Sequence, residues 1–175
     1  VVIDFWFKEL EPASWFVKDE RFDALLRERF SACYQQAIKG ELYEWREDPQ
    51  GSLAEIIVLD QFARNIFRDT PKAFSSDAIA LVLAQTAVAA GSDQQLNAQE
   101  RSFLYMPYMH SESAKIHEIA VQLFSQEGLE RNLEFELRHK AIIDRFGRYP
   151  HLNEILGRES TNEEIEFLAQ PGSSF

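Results

Sequence analysis

The sequence predicts an all-α protein. Three observations carry that reading: apolar residues recur at three- and four-residue spacing, capping residues punctuate the segments, and no β-branched run alternates with polar residues between turn signals. With 175 residues, 45% of them apolar and 13% aromatic, the chain can fill one full core, so a single domain over residues 1–175 is expected. Short connections between successive helices suit antiparallel pairs, arranged as a bundle or as a stack of helical hairpins. No internal repeat of fixed period is visible.

At the start, Ile3, Phe5, Trp6, Phe7 and Leu10 crowd into a short helix before Pro12, and Trp15 and Phe16 add an aromatic knot. From Asp19 to Lys39 a stripe of Phe22, Leu25, Leu26, Phe30, Cys33, Tyr34, Ala37 and Ile38 marks the clearest amphipathic helix, which Gly40 is placed to end. The segment Leu53–Phe67 is apolar nearly all round in its first half. In its second half, Asp60, Gln61, Arg64, Asn65 and Arg68 fall on one arc, so a face that begins apolar at Leu53 and Ile57 becomes polar along its length.

Ser75–Asp77 reads as a helix N-cap, followed by an alanine-rich helix that ends at Gly91. Asn97 with Glu100 marks another start, and Pro107 is expected to end or kink that helix. The stripe Ile116, Ile119, Ala120, Leu123 and Phe124 defines the next helix. A long one from Leu129 to Phe146 is closed by Gly147 and Pro150, and Thr161 with Glu164 forms a capping box for the last.

A net charge of −11 argues against nucleic-acid binding, which draws its affinity from Lys and Arg on phosphates, and against an anionic membrane surface. The longest small-apolar run, Ala78–Ala90, is too short to span a bilayer, and no secretory leader is legible at the start. Cys33 is the single cysteine, which suits a reducing cytoplasm.

Three blocks resemble a known family: LDQFARNIFRDTPKAF at Leu59–Phe74, FLYMPYMHSES at Phe103–Ser113, and RHKAIIDRFGRYPHLNEILGREST at Arg138–Thr161. They are similar to the bacterial family catalogued as domain of unknown function nine hundred and twenty-four. The resemblance implies a tetratricopeptide-like (TPR-like) fold, a right-handed stack of antiparallel helical hairpins, and brings no activity, substrate or catalytic residue with it. The chain departs from the family's pattern at Ala63, where proline is expected, and at Leu152, where arginine is expected after the histidine.

The candidate site combines the polar arc with the Arg- and His-rich turn that follows the long helix. Ligand-binding candidates are Asp60, Arg64, Asn65, Arg148, His151 and Asn153, and His139 and His151 are the candidate general acid or base. Each has a plainer account. The arc can be a solvated helix face with an Asp60–Arg64 pair, His139 can be a hydrogen-bonded core residue, and the arginines can complement a helix C-terminus. No metal is expected, since no two histidines stand four residues apart and neither an HExxH nor a paired-cysteine motif occurs; no cofactor motif is present either.

Two functions follow from these readings. One is a helical binding or adaptor module that receives a peptide or protein partner in a groove. The other is an enzyme or small-ligand binder with an Arg/His/Asn pocket for a small anionic molecule.

Overall fold

The computed structural model describes residues Val1–Phe175 and contains helices and turns with no strand. Nine α-helices follow in order: α1 (Val2–Asp4), α2 (Glu20–Ile38), α3 (Pro49–Ile57), α4 (Ala63–Ile66), α5 (Asp77–Ala89), α6 (Ala98–His110), α7 (Ala114–Phe124), α8 (Glu130–Phe146) and α9 (Asn162–Leu168). Two π-helical turns, Phe5–Glu9 and Val58–Phe62, continue α1 and join α3 to α4.

The continuous helix made by α3, the second π turn and α4 is the centre of the molecule. Leu53, Ile56, Ile57, Val58, Leu59, Phe62 and Ala63 on it have no solvent exposure, because α1, α2, α5 and α6 all pack against it. Pro49 opens α3 at a position where its missing N–H costs nothing, and the Asp48 carboxylate accepts from Gly51 N–H at 2.9 Å. Gly51 is obligatory for a different reason: a Cβ there would lie 1.9 Å from the backbone oxygen of Trp45.

On one side α2 buries Leu26, Phe30, Tyr34 and Ala37, one stripe of the expected amphipathic face. Asp19 caps it by accepting from Arg21 N–H at 2.8 Å, and Gly40, at φ 72°, turns the chain away. Opposite, α5 presents Ala80, Ala84 and Ala87, small enough to bring it close to α3 and α6. The expected Ser75–Asp77 cap takes another form: Ser76 precedes α5, but its hydroxyl donates to Leu59 O at 2.7 Å rather than capping the helix.

Pro107 does not end its helix. α6 runs from the Asn97–Glu100 capping box to His110 with Pro107 inside it. Residues Phe103–Met109 are all buried, so contacts on every side offset the backbone bond that proline forfeits. The aromatic knot also forms, with Trp15 stacked on Trp6 and edge-on to Phe103 at 4.8 Å. α7 and α8 then pair, α8 stops at Gly147 (φ 72°), and Ile142, Ile143 and Tyr149 make a small second core under Phe146, Leu152 and Phe167.

Candidate functional site

The π turn Val58–Phe62 lies where the central helix meets α5 and α6, and wide turns of this kind recur at functional positions. Asp60 sits in it at 1% exposure. An isolated carboxylate so placed would be protonated, and three donors keep it ionised: Gln61 Nε2 at 2.8 Å, Arg64 Nη1 at 3.2 Å, and His110 Nδ1 at 2.7 Å from the last turn of α6. Burial pushes the Asp60 carboxyl up, but the His110 and Arg64 charges together with the hydrogen bonds outweigh it and hold it at about 2.

Arg64 serves two carboxylates. It grips Asp77 at the start of α5 through Nη1 and Nη2, at 2.7 and 2.9 Å, while Nη1 also donates to Asp60 O at 3.0 Å. Asp77 shifts the opposite way from Asp60: burial raises it and outweighs Arg64, the one side chain that donates to it. Phe74 lies 5.2 Å below the guanidinium.

The remainder of the arc turns elsewhere. Asn65 donates to Asp23 of α2 at 2.8 Å, and Arg68 closes on the same carboxylate. Asp60, Gln61 and Asn65 are 1%, 5% and 5% exposed, so the arc is no solvated face, and it divides between α2 on one flank and α5 and α6 on the other.

The turn after α8 is tied down by carboxylates of its own. Arg148 makes two bonds to Glu164, at 2.9 and 2.8 Å, and Asn153 donates to the same carboxylate at 3.2 Å. Arg158 pairs with Glu112 at 2.8 and 3.0 Å and donates to Tyr149 O, while Glu112 accepts from Tyr149 N–H at 2.7 Å. The structure therefore joins Asp60 with Arg64, joins Arg148 with Asn153, and sends Asn65 to Asp23. His151 and His139 meet at a fourth place, around Tyr149 and Phe175.

There the imidazoles are neutral. Burial drives His139 and His151 down to about 4. His139 Nδ1 lies 2.7 Å from Phe135 O, and since a carbonyl only accepts, Nδ1 carries the proton and Nε2 is left as an acceptor. His151 Nδ1 is buried with no partner. Behind them His117, without solvent exposure, reaches Glu136 at 2.5 Å, Ser111 O at 2.6 Å and Tyr149 Oη at 3.0 Å. The Tyr149 hydroxyl donates to Met109 O at 2.5 Å.

The Tyr149 hydroxyl and His117 Nε2 bond the backbone oxygens of Met109 and Ser111, the residues on either side of His110. No three His, Cys, Asp or Glu side chains converge as a metal ion would require.

Within this region His110 differs from the other histidines. Asp60 is ionised and can only accept, so Nδ1 of His110 donates, while Nε2 meets no protein group, on a side chain 15% exposed. An imidazole oriented by a buried carboxylate with its far nitrogen free can take up and release a proton. The histidine spacing that argued against a metal gave His110 and His117 no role in the sequence, and Asp77, Glu112 and Glu136 carried no site signal there. His110 meets Asp60 across 50 residues, a distance no local pattern reports.

The fold and the site define an all-helical protein whose ionisable groups gather where the central helix, α5, α6, α8 and the Tyr149 turn come together. A family model described as "Bacterial protein of unknown function (DUF924)" matches residues 2–172, and the chain belongs to that family. A solved structure of a protein of unknown function from Agrobacterium tumefaciens is similar, at 38% identity and a TM-score of 0.91, with 95% of this chain and 94% of that one covered. No curated protein matches the chain.

Proposed function

We propose that this protein binds a small molecule beside His110 and exchanges a proton with it. One observation carries the reading: His110 Nδ1 stands 2.7 Å from the buried Asp60 carboxylate, which orients the ring and leaves Nε2 free. Arg64, committed to Asp60 and Asp77, is a poor anchor for an anion, so recognition falls to His110 and the neutral rings nearby.

The test is a thermal-shift panel of small metabolites on the wild type, His110→Gln and Asp60→Asn. A compound whose binding to the wild type takes up or releases a proton is expected to bind His110→Gln at least about ten-fold more weakly, the order of one lost charge-assisted hydrogen bond. Unchanged affinities in both variants would remove His110 from the site.

A groove that takes a peptide has one observation in its favour, a cleft of about 700 Å³ bordered by Val2, Phe7, Trp45, Gln50, Ala54 and Glu100. Its polar groups are spent internally, Gln50 on Glu100 and Glu100 on the Asn97 backbone, which ranks it behind the His110 site. The packing of α5 on α6, α6 on α7 and α7 on α8 supports a TPR-like stack. The lone Cys33 supports a cytoplasmic location, and no helix is long and apolar enough to cross a membrane.

A further inference from the structure

Three rings form the walls of a seat near the end of the described chain. The His139, His151 and Tyr149 ring centroids lie 3.7, 4.4 and 5.1 Å from that of Phe175. Two of the walls are held by their own bonds, His139 to Phe135 O and Tyr149 to Met109 O, with the Tyr149 backbone fixed by Glu112 and Arg158, while Nδ1 of the third, His151, has no partner. Phe175 is held far less firmly. The residue is 57% exposed, and beyond the Gln170 N–H bond to Phe167 O the segment makes one more hydrogen bond, from the Ser173 hydroxyl to Leu168 O at 3.2 Å.

The occupant also fits the seat's chemistry badly. His151 Nδ1 is buried without a partner, and a phenyl ring has nothing to offer it. His139, whose ring centroid lies 3.7 Å from that of Phe175, keeps Nε2 as an acceptor, because Nδ1 is already committed as a donor. Both imidazoles are neutral near pH 7, so the seat presents polarisable ring faces and unpaired nitrogens and no net charge. A flat ring that carries its own N–H would keep the stacking and supply the missing hydrogen bond.

We propose that the His139–Tyr149–His151 cage is a binding seat for a planar heteroaromatic ring bearing an N–H edge, and that Phe175 is an internal occupant which such a ring displaces. The seat adjoins the proposed His110 site, and a ligand anchored in it would extend toward His110, but the cage rests on its own geometry and is tested apart from that reading.

Indole and 1-methylindole, which share a ring and differ in the N–H, are titrated by calorimetry and NMR into the wild type and Phe175→Ala. Phe175 is more than half exposed, so the variant is expected to keep its helical circular dichroism. Phe175→Ala should bind indole about ten-fold more tightly than the wild type, bind 1-methylindole more weakly than indole, and show shift changes at His139, Tyr149 and His151. Equal indole affinity in both proteins, or shifts confined to the Trp45 cleft, would overturn the proposal.

Phe175→Trp supplies a second reading, since a tethered indole should shut free indole out; binding undiminished in that variant counts against the seat. His110→Gln should leave indole affinity within about two-fold. If it does so while ligand-linked proton uptake is also unchanged, the His110 reading fails and the cage stands. If indole binding itself is lost in His110→Gln, the cage as drawn is wrong.

Discussion

His117 and Glu136 meet 2.5 Å apart with both side chains wholly shielded from water, and they lock α7 to α8. His117 Nε2 donates to Ser111 O, which can only accept, and burial raises the Glu136 pKa in spite of the hydrogen bond with His117.

Removing either partner leaves a buried polar group stranded. Glu136→Ala is expected to lower unfolding stability by about 3 kcal/mol, the usual cost of breaking one side of a buried pair. Urea titration measures it, and a loss below about 1 kcal/mol would show that α7 and α8 hold together without the pair.

His139 makes the protein sensitive to mild acid. Its folded pKa, about 4, lies below the ordinary value of 6.5, so the folded state refuses a proton that the unfolded chain accepts. Stability is complete above 6.5 and falls as the pH drops toward 4, by about 2 kcal/mol at pH 5 from this residue. His139→Gln can keep the bond to Phe135 O and carries no titrating ring, so its stability should vary less between pH 7 and pH 5. An unchanged slope in denaturant titrations at those pH values would show that His139 is not the group responsible.

Asp60 acts at lower pH. Its depressed carboxyl stabilises the fold above the ordinary 3.8, and that contribution, about 2 kcal/mol, disappears as the pH falls through 2. Asp60→Asn should therefore destabilise the protein at pH 6 by a similar amount and flatten the melting-temperature profile between pH 4 and pH 2. A variant as stable as the wild type at pH 6 would deny the carboxylate this role.

Gly51→Ala tests the backbone contact between α3 and the Tyr43–Glu47 turn. The obstacle to a Cβ is the Trp45 carbonyl at 1.9 Å, which is main chain and cannot rotate aside. A loss of roughly 2–4 kcal/mol is expected, at the high end for overpacking by one carbon. Gly40→Ala is a useful comparison: its Cβ meets nothing within 4 Å, so only its φ of 72° resists, and its loss should be the smaller of the two.

What the amino-acid order determined by itself are the features whose partners lie within one helical turn. The Asn97–Glu100 and Thr161–Glu164 capping boxes, the left-handed stops at Gly40 and Gly147, and the apolar stripe of α2 all follow from short-range geometry, and with them the all-α class. Even there packing could overrule a local rule, as Pro107 shows inside a helix buried on every side.

The site was legible only as a set of residue types. Asp60, Arg64 and Asn65 lie on the central helix and Arg68 just past its end, and the arc they make faces two neighbours, so Asn65 and Arg68 go to Asp23 of α2 while Arg64 goes to Asp77 of α5. Each acceptor is drawn from a surplus of 29 acidic residues over 18 basic ones, and sequence spacing carries no preference among so many. Tertiary packing alone selected Glu164 for Arg148, Glu112 for Arg158 and Asp60 for His110, because a buried charge holds its place only beside whichever partner the folded backbone brings within hydrogen-bond reach.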